Sequence, residues 1–215
     1  MSEYDQQYGQ VPNFFGSEPS PILVSFGDRI PSGSKVLDIG VGQGRHALYL
    51  AHKDYPVVGI DTSQVAIDTV RQMAAQKNLP VDLWLGSFVD YLPENSFGAV
   101  LCFGLMQTLP RTLGASLLYR LREWTQPGGV VFLTAWHVDD PSYNRINETW
   151  DRVSRHSFRS SDGEYRTFLA RAEILDLMIG WQLIHHWEGF GPEHRHGDSP
   201  PERHGVVEVV AVKPV

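Results

Sequence analysis

Apolar and polar positions divide the chain into short apolar runs alternating with longer amphipathic stretches. Residues 36–39, 57–61, 81–85 and 97–103 are short, mostly apolar runs bounded by Gly, Pro, Asn or Ser. Runs this short and this continuous predict strands of a parallel sheet covered on both faces. Between them, 45–51, about 62–77 and 111–124 carry helical spacing. In the second of these, Thr62-Ser63 caps the start and Val65, Ala66, Val70 and Met73 share one face. Gln126-Pro127-Gly128-Gly129 turns the chain into a fifth strand at 130–135, and residues 171–179 form the last helix before Gly180. Two further strands follow at 181–190 and 206–212. Strands alternating with helices predict an α/β sheet layered by helices on both faces.

Two stretches break this rhythm. Residues 1–20 hold Tyr4, Tyr8, Phe14 and Phe15 among Pro and Gly, too broken for a long helix and too aromatic for a free tail. They read either as a lid over a ligand or as cover for a core edge; a short helix at 22–30 follows. Residues 137–170 read as a long polar connection rich in Arg and Ser, leaving the strand edge where open α/β sheets bind ligands.

The chemistry concentrates where the first strand ends. Gly40-Val41-Gly42-Gln43-Gly44 turns directly into a helix, leaving bare backbone at a helix N-terminus for a ligand to approach. Asp61 closes the next strand about twenty residues on, placed to take both hydroxyls of a ribose. The spacing is G-x-G-x-G with Asp38 two residues upstream, not the G-x-G-x-x-G of a dinucleotide site. A nicotinamide or flavin cofactor needs room for a pyrophosphate. S-adenosylmethionine has none, and an acid beside the first glycine suits its cationic methionine end.

With Asp61 and Gln126-Pro127-Gly128-Gly129, the stretch resembles the class I S-adenosylmethionine-dependent methyltransferases over residues 30–136. The resemblance implies one Rossmann-like domain of seven mostly parallel strands with an antiparallel last strand. It implies S-adenosyl-L-methionine as cofactor, with Asp38, Gly40, Gly42 and Gly44 forming the methionine pocket. Asp61, followed by Thr62, would hold the ribose, and Phe103-Gly104 would offer backbone to the methionine end. Ser87 and Phe88 would flank the adenine, although Ser87 stands where the family commonly has an acid, and Phe88 reads equally as core. Arg45 either crosses to the N-terminal segment or is a surface charge. Gln107 and Thr108 look toward the acceptor or are ordinary loop residues.

Composition narrows the partners. A chain of 215 residues with 42% hydrophobic content is long enough to bury a sizeable core. A net charge of −7 argues against a general grip on nucleic acid or anionic lipid. The lone cysteine, Cys102, allows no internal disulfide and fits a reducing cytoplasm. The polar N-terminus and the lack of any long apolar run predict neither a secretion signal nor a membrane span. A small-molecule acceptor is therefore expected, with no nucleic acid and no membrane; the oligomeric state is open.

Five of the nine histidines lie from His185 onward, and 188–204 form a loop rich in His, Arg, Pro and Gly. If the sixth strand is parallel to the first five and the seventh antiparallel, this loop overhangs the cofactor edge. With the GQGRHALYLA helix, the tail resembles the tellurite-resistance branch of the methyltransferases. That branch implies a substrate site at His194, Arg195 and Arg203, although Pro200-Pro201 replaces an expected glycine turn. Three readings stay open: an anionic or soft acceptor held by Arg195 and Arg203 with His194 orienting it; a metal site from His194, His196 and His204; or a solvated loop. The first is preferred, with no metal. A cofactor-binding protein without turnover is the alternative function.

Overall fold

The computed structural model describes residues 3–195 and 200–215. The chain runs α1 (Glu3–Gln10), α2 (Pro21–Phe26), β1 (Val36–Ile39), α3 (Arg45–Ala51), β2 (Val57–Asp61), α4 (Gln64–Lys77), β3 (Val81–Leu85) and β4 (Phe97–Cys102). It continues through α5 (Arg111–Trp124), β5 (Thr125–Trp136), α6 (Tyr143–Thr149), β6 (Asp151–Ser154), β7 (Ser157–Arg159), β8 (Tyr165–Thr167), α7 (Glu173–Leu177), β9 (Gln182–Phe190) and β10 (Gly205–Val212).

The main sheet has seven strands in the order β3-β2-β1-β4-β5-β10-β9. The first five are mutually parallel, and β10 is antiparallel to both β5 and β9. This is the α/β, Rossmann-like sheet with an antiparallel last strand that the sequence implied. The central strands β1 and β4 are buried at every position, as continuous apolar runs must be when helices cover both faces. Alternate residues feed two cores: Leu37, Ile39, Val100 and Cys102 on one face, Val36, Ala99 and Leu101 on the other. The chain leaves β1 toward β2 on one side and reaches β4 on the other. The reversal opens a crevice beyond the C-terminal ends of β1 and β4.

Helix α4 begins at Gln64 with its cap in the Thr62-Ser63 pair, the Ser63 side chain accepting the Ala66 N–H. Its buried face is Ala66, Ile67, Val70 and Ala74, with Met73 half-buried at the margin. The fifth strand starts at Thr125 instead of 130. Gln126-Pro127-Gly128-Gly129 lies inside it as an irregularity between the Phe97–Thr125 and Ala99–Val130 pairs. The last helix is confined to Glu173–Leu177.

The largest departure is 137–170. It holds α6 and a separate three-stranded antiparallel sheet, β6-β7-β8. Ile146, Phe158 and Phe168 form its own small core, flanked by Trp136, Tyr143 and Trp150. Apolar residues spaced among arginines hid this core from a reading of polarity. The arginines lie over its rings, Arg152 at 5.6 Å from Phe158 and Arg166 at 5.7 Å from Trp150. Thr167 Oγ1 donates to Leu109 O at 2.6 Å, and Arg111 Nη2 donates to Phe168 O at 3.1 Å, tying the unit to the chain after β4.

Candidate active site

Gly40, Gly42 and Gly44 all adopt positive φ, +76°, +51° and +87°. No L side chain sits there without strain, and at Gly44 a Cβ would also stand 2.7 Å from Val70 Cγ2. Asp61 holds this loop from the next strand. Its Oδ2 accepts from Gly42 N at 2.8 Å and its Oδ1 from Ser63 N at 2.9 Å. Burial raises the Asp61 carboxyl above its ordinary range, with the backbone N–H groups of Ser63, Gly42 and Thr62 offsetting only part of the rise.

Asp38 is only 1% exposed, and its Oδ2 has no hydrogen-bond partner among the described residues. Burial pushes its carboxyl up to about 7, against the pull of Arg45 and with a further push from Asp61. Two other buried polar atoms lack partners among the described residues, His46 Nε2 and Gln107 Oε1. His46 lies in the first turn of α3 and stacks on Phe103 at 4.1 Å between ring centroids. Burial holds its pKa well below the usual value, so it is neutral. Gln107 follows β4, and Gly104 N donates to Thr134 Oγ1 at 2.9 Å. Three buried polar atoms without partners among the described residues thus belong to β1 and to the segments after β1 and β4, which is unusual in a settled core. His46 escaped the sequence reading; its signal was a polar residue inside the apolar stripe of a short helix.

The N-terminal segment folds onto this loop. Phe14 N donates to Gln43 Oε1 at 2.7 Å, Gln43 Nε2 to Val11 O at 3.0 Å, and Arg45 Nη1 to Phe15 O at 2.8 Å. Ser63 Oγ donates to Asp5 Oδ1 at 2.6 Å. Tyr4, Tyr8, Phe14 and Phe15 pack edge-on or stacked over it, and the Tyr8 hydroxyl reaches to 3.1 Å of the place a Gly42 Cβ would take. Burial and the nearby Asp61 raise the Tyr8 hydroxyl, which stays protonated. Arg45 is therefore bound to the N-terminal segment.

Past the end of β3, Ser87 Oγ accepts from Val89 N at 3.3 Å. Phe88 is 5% exposed and belongs to the main core cluster. Thr62 is exposed beside Asp61.

The histidine hairpin lies at the same sheet edge. Because β10 is antiparallel to β5, and β9 to β10, β9 ends where β5 ends. His194 and Glu202 pair as an antiparallel bridge beyond those strands. Arg203 turns back on the hairpin, Nε donating to Gly191 O at 2.8 Å and stacking on Phe190. Arg195 is exposed. His204 stacks on Trp136 at 3.9 Å and its Nδ1 lies 3.0 Å from Asp140 Oδ2, a pairing no sequence motif signalled. His196 lies outside the described residues.

A family model described as a methyltransferase domain matches residues 36–129. Ubiquinone biosynthesis O-methyltransferase of Thiobacillus denitrificans is 32% identical over 130 residues, 59% of this chain and 55% of that protein. TehB from Haemophilus influenzae shares the fold at a TM-score of 0.72 and 18% identity, over 98% of this chain and 67% of that one. So does 1,6-didemethyltoxoflavin-N1-methyltransferase of Burkholderia thailandensis, solved with 1,6-didemethyltoxoflavin and S-adenosylhomocysteine, at a TM-score of 0.73 and 13% identity over 99% and 86%. The chain spans about half the length of the curated relatives it matches. Residues 36–129 thus match a methyltransferase domain and the sheet has the fold of these methyltransferases; the cofactor this likeness indicates is S-adenosyl-L-methionine. Among the described residues no helix is long and apolar enough to cross a membrane.

Proposed function

We propose that the protein transfers a methyl group from S-adenosyl-L-methionine to a small acceptor that is anionic or soft, a thiol or chalcogen oxyanion. The observation that carries the cofactor half is Asp38: a buried carboxylate oxygen without a partner, beside three positive-φ glycines. A cationic ammonium is the group such an atom lacks. Gly40, Gly42 and Gly44 would let the backbone turn where the cofactor meets it. Asp61 would exchange its loop contacts for ribose hydroxyls. Phe103 and Gly104 would border the methionine end, with Ser87 toward the adenine, and Arg45 would anchor the N-terminal segment as a lid.

When bound, the cofactor supplies an electrophilic methyl on a sulfonium. The protein's part is chiefly to hold an acceptor close and in line with it, and to keep water out. The hairpin at the ends of β9 and β10 supports the acceptor half. Arg195 would supply positive charge for an anionic group, His194 would orient it, and Arg203 would keep the hairpin in shape through Gly191.

Calorimetric titration with S-adenosylhomocysteine, with NADH as control, tests the cofactor. Micromolar binding of the first alone is expected, followed by label transfer from methyl-labelled donor to thiol or chalcogen acceptors. Absence of binding would overturn the proposal. Binding without turnover on any acceptor class would mark a cofactor-binding protein instead.

A further inference from the structure

The ladder of β9 and β10 continues past the strands. Gly191 N donates to His204 O at 2.9 Å, His194 N to Glu202 O at 2.9 Å, and Glu202 N to His194 O at 2.8 Å. This places His194 opposite Glu202, and Glu202 and His204, two apart in an extended segment, on one side. One ligand atom from each of His194, Glu202 and His204 lies within 4.8 Å of the others.

Both histidines are held in the same way. His204 Nδ1 is 3.0 Å from Asp140 Oδ2, and His194 Nδ1 is 3.1 Å from Pro192 O. A carbonyl or carboxylate oxygen only accepts, so each Nδ1 is the donor and each Nε2 is the ring atom turned away from that oxygen; His204 Nε2 stands 3.7 Å from Glu202 Oε2. Asp140 is itself fixed, its side chain fully buried and accepting from Ser142 N at 2.8 Å and Gly205 N at 2.9 Å. The Trp136 stack sets the plane of the His204 ring. Outer oxygen partners that fix tautomer and ring direction are what metal-binding histidines have.

We propose that His194, Glu202 and His204 bind a divalent transition-metal ion of the zinc class, with Asp140 and Pro192 O as the outer partners of the two imidazoles. Two imidazole nitrogens and one carboxylate suit zinc and its neighbours, and offer too few hard oxygens for calcium or magnesium. Bonds of about 2.0–2.1 Å put ligand atoms roughly 3.4 Å apart, so the three must draw together by about an ångström. The half-buried Glu202 side chain permits that movement. Three protein ligands leave a position open, and a thiolate or oxyanion would fill it. This last role, anchoring the acceptor, rests on the proposed methyl transfer; the metal site does not.

The test is zinc affinity of the full chain without cofactor, by competition with a chromophoric chelator, together with the visible spectrum of the cobalt(II) form. One zinc per chain is expected, with an intense low-coordinate cobalt band. His194→Ala and His204→Ala should each weaken binding at least tenfold, and Asp140→Asn by about 10–100-fold. His185→Ala, on β9 beside Glu208 and away from the cluster, should change nothing. Glu202→Gln, nearly isosteric, carries the test if a histidine variant does not fold. No zinc uptake, uptake indifferent to these changes, or equal loss in His185→Ala would overturn the site. S-adenosylhomocysteine affinity, measured on the same variants and expected to be unchanged, keeps the fate of the metal site separate from that of the methyltransferase reading.

Discussion

Two regions share the C-terminal edge of the sheet and are built by opposite means. The glycine loop and its acids come from one stretch and the strand beside it, and their polar atoms are left wanting: Asp38 Oδ2 and His46 Nε2 are buried without partners. The histidine hairpin is assembled from Asp140, His194, Glu202 and His204, which span 64 residues between Asp140 and His204, and the two imidazole Nδ1 atoms have oxygen partners in place. The first buries acid and imidazole atoms at a desolvation cost. The second has its imidazoles braced from behind by oxygen partners.

The difference can be broken or sharpened by substitution. The largest effect is expected at Asp38. A folded carboxyl raised to about 7 keeps a proton that the unfolded chain gives up near pH 4. Between those values the native state binds more protons, so stability falls as pH rises through the window and stays lowered above it. Asp38→Asn should therefore stabilise the ligand-free chain at pH 8 by on the order of 3–4 kcal/mol, with the gap closing toward pH 4. Denaturant melts at the two pH values would show this; equal gaps would mean that Asp38 is not desolvated. The same variant should bind S-adenosylhomocysteine more weakly.

Gly44→Ala comes next. A strained φ and a Cβ against Val70 should together cost about 2–3 kcal/mol of stability, read as a lowered denaturation midpoint with unchanged slope. Asp61→Ala should weaken S-adenosylhomocysteine by about 1.5–3 kcal/mol, the worth of hydrogen bonds to a charged group. Unchanged affinity would remove Asp61 from the ribose.

The smallest effect on the fold is expected in the hairpin. Arg195 is exposed, so Arg195→Ala should leave both stability and cofactor affinity within about 0.5 kcal/mol of the parent, while lowering methyl transfer about tenfold or more, the loss of one charged hydrogen bond. Loss of cofactor binding would instead assign the hairpin to the cofactor's cover.

Most of the sheet was legible because parallel strands covered on both faces must be nearly all apolar, and 36–39, 57–61 and 97–102 are, save for Asp38 and Asp61. The glycine loop was legible because a tight turn at positive φ requires glycine at fixed spacing. The insertion at 137–170 was not, since its small core is three residues, Ile146, Phe158 and Phe168, roofed by arginine stems that read as polar. Phe88 shows a subtler limit: an aromatic after a strand can face a ring or a core, and packing put it in the core.

What the chain determined by itself is therefore whatever depends on neighbours in sequence: alternation, capping at Ser63, the turn at Gly40-Val41-Gly42-Gln43-Gly44, and acids at strand ends. What only the tertiary structure decided is who meets whom across the edge. Arg45 found the carbonyl of Phe15, and His204 found Asp140 and Trp136. Such partners are set by strand order and register, because β10 returns antiparallel beside β5 and carries the hairpin to the residues that follow it.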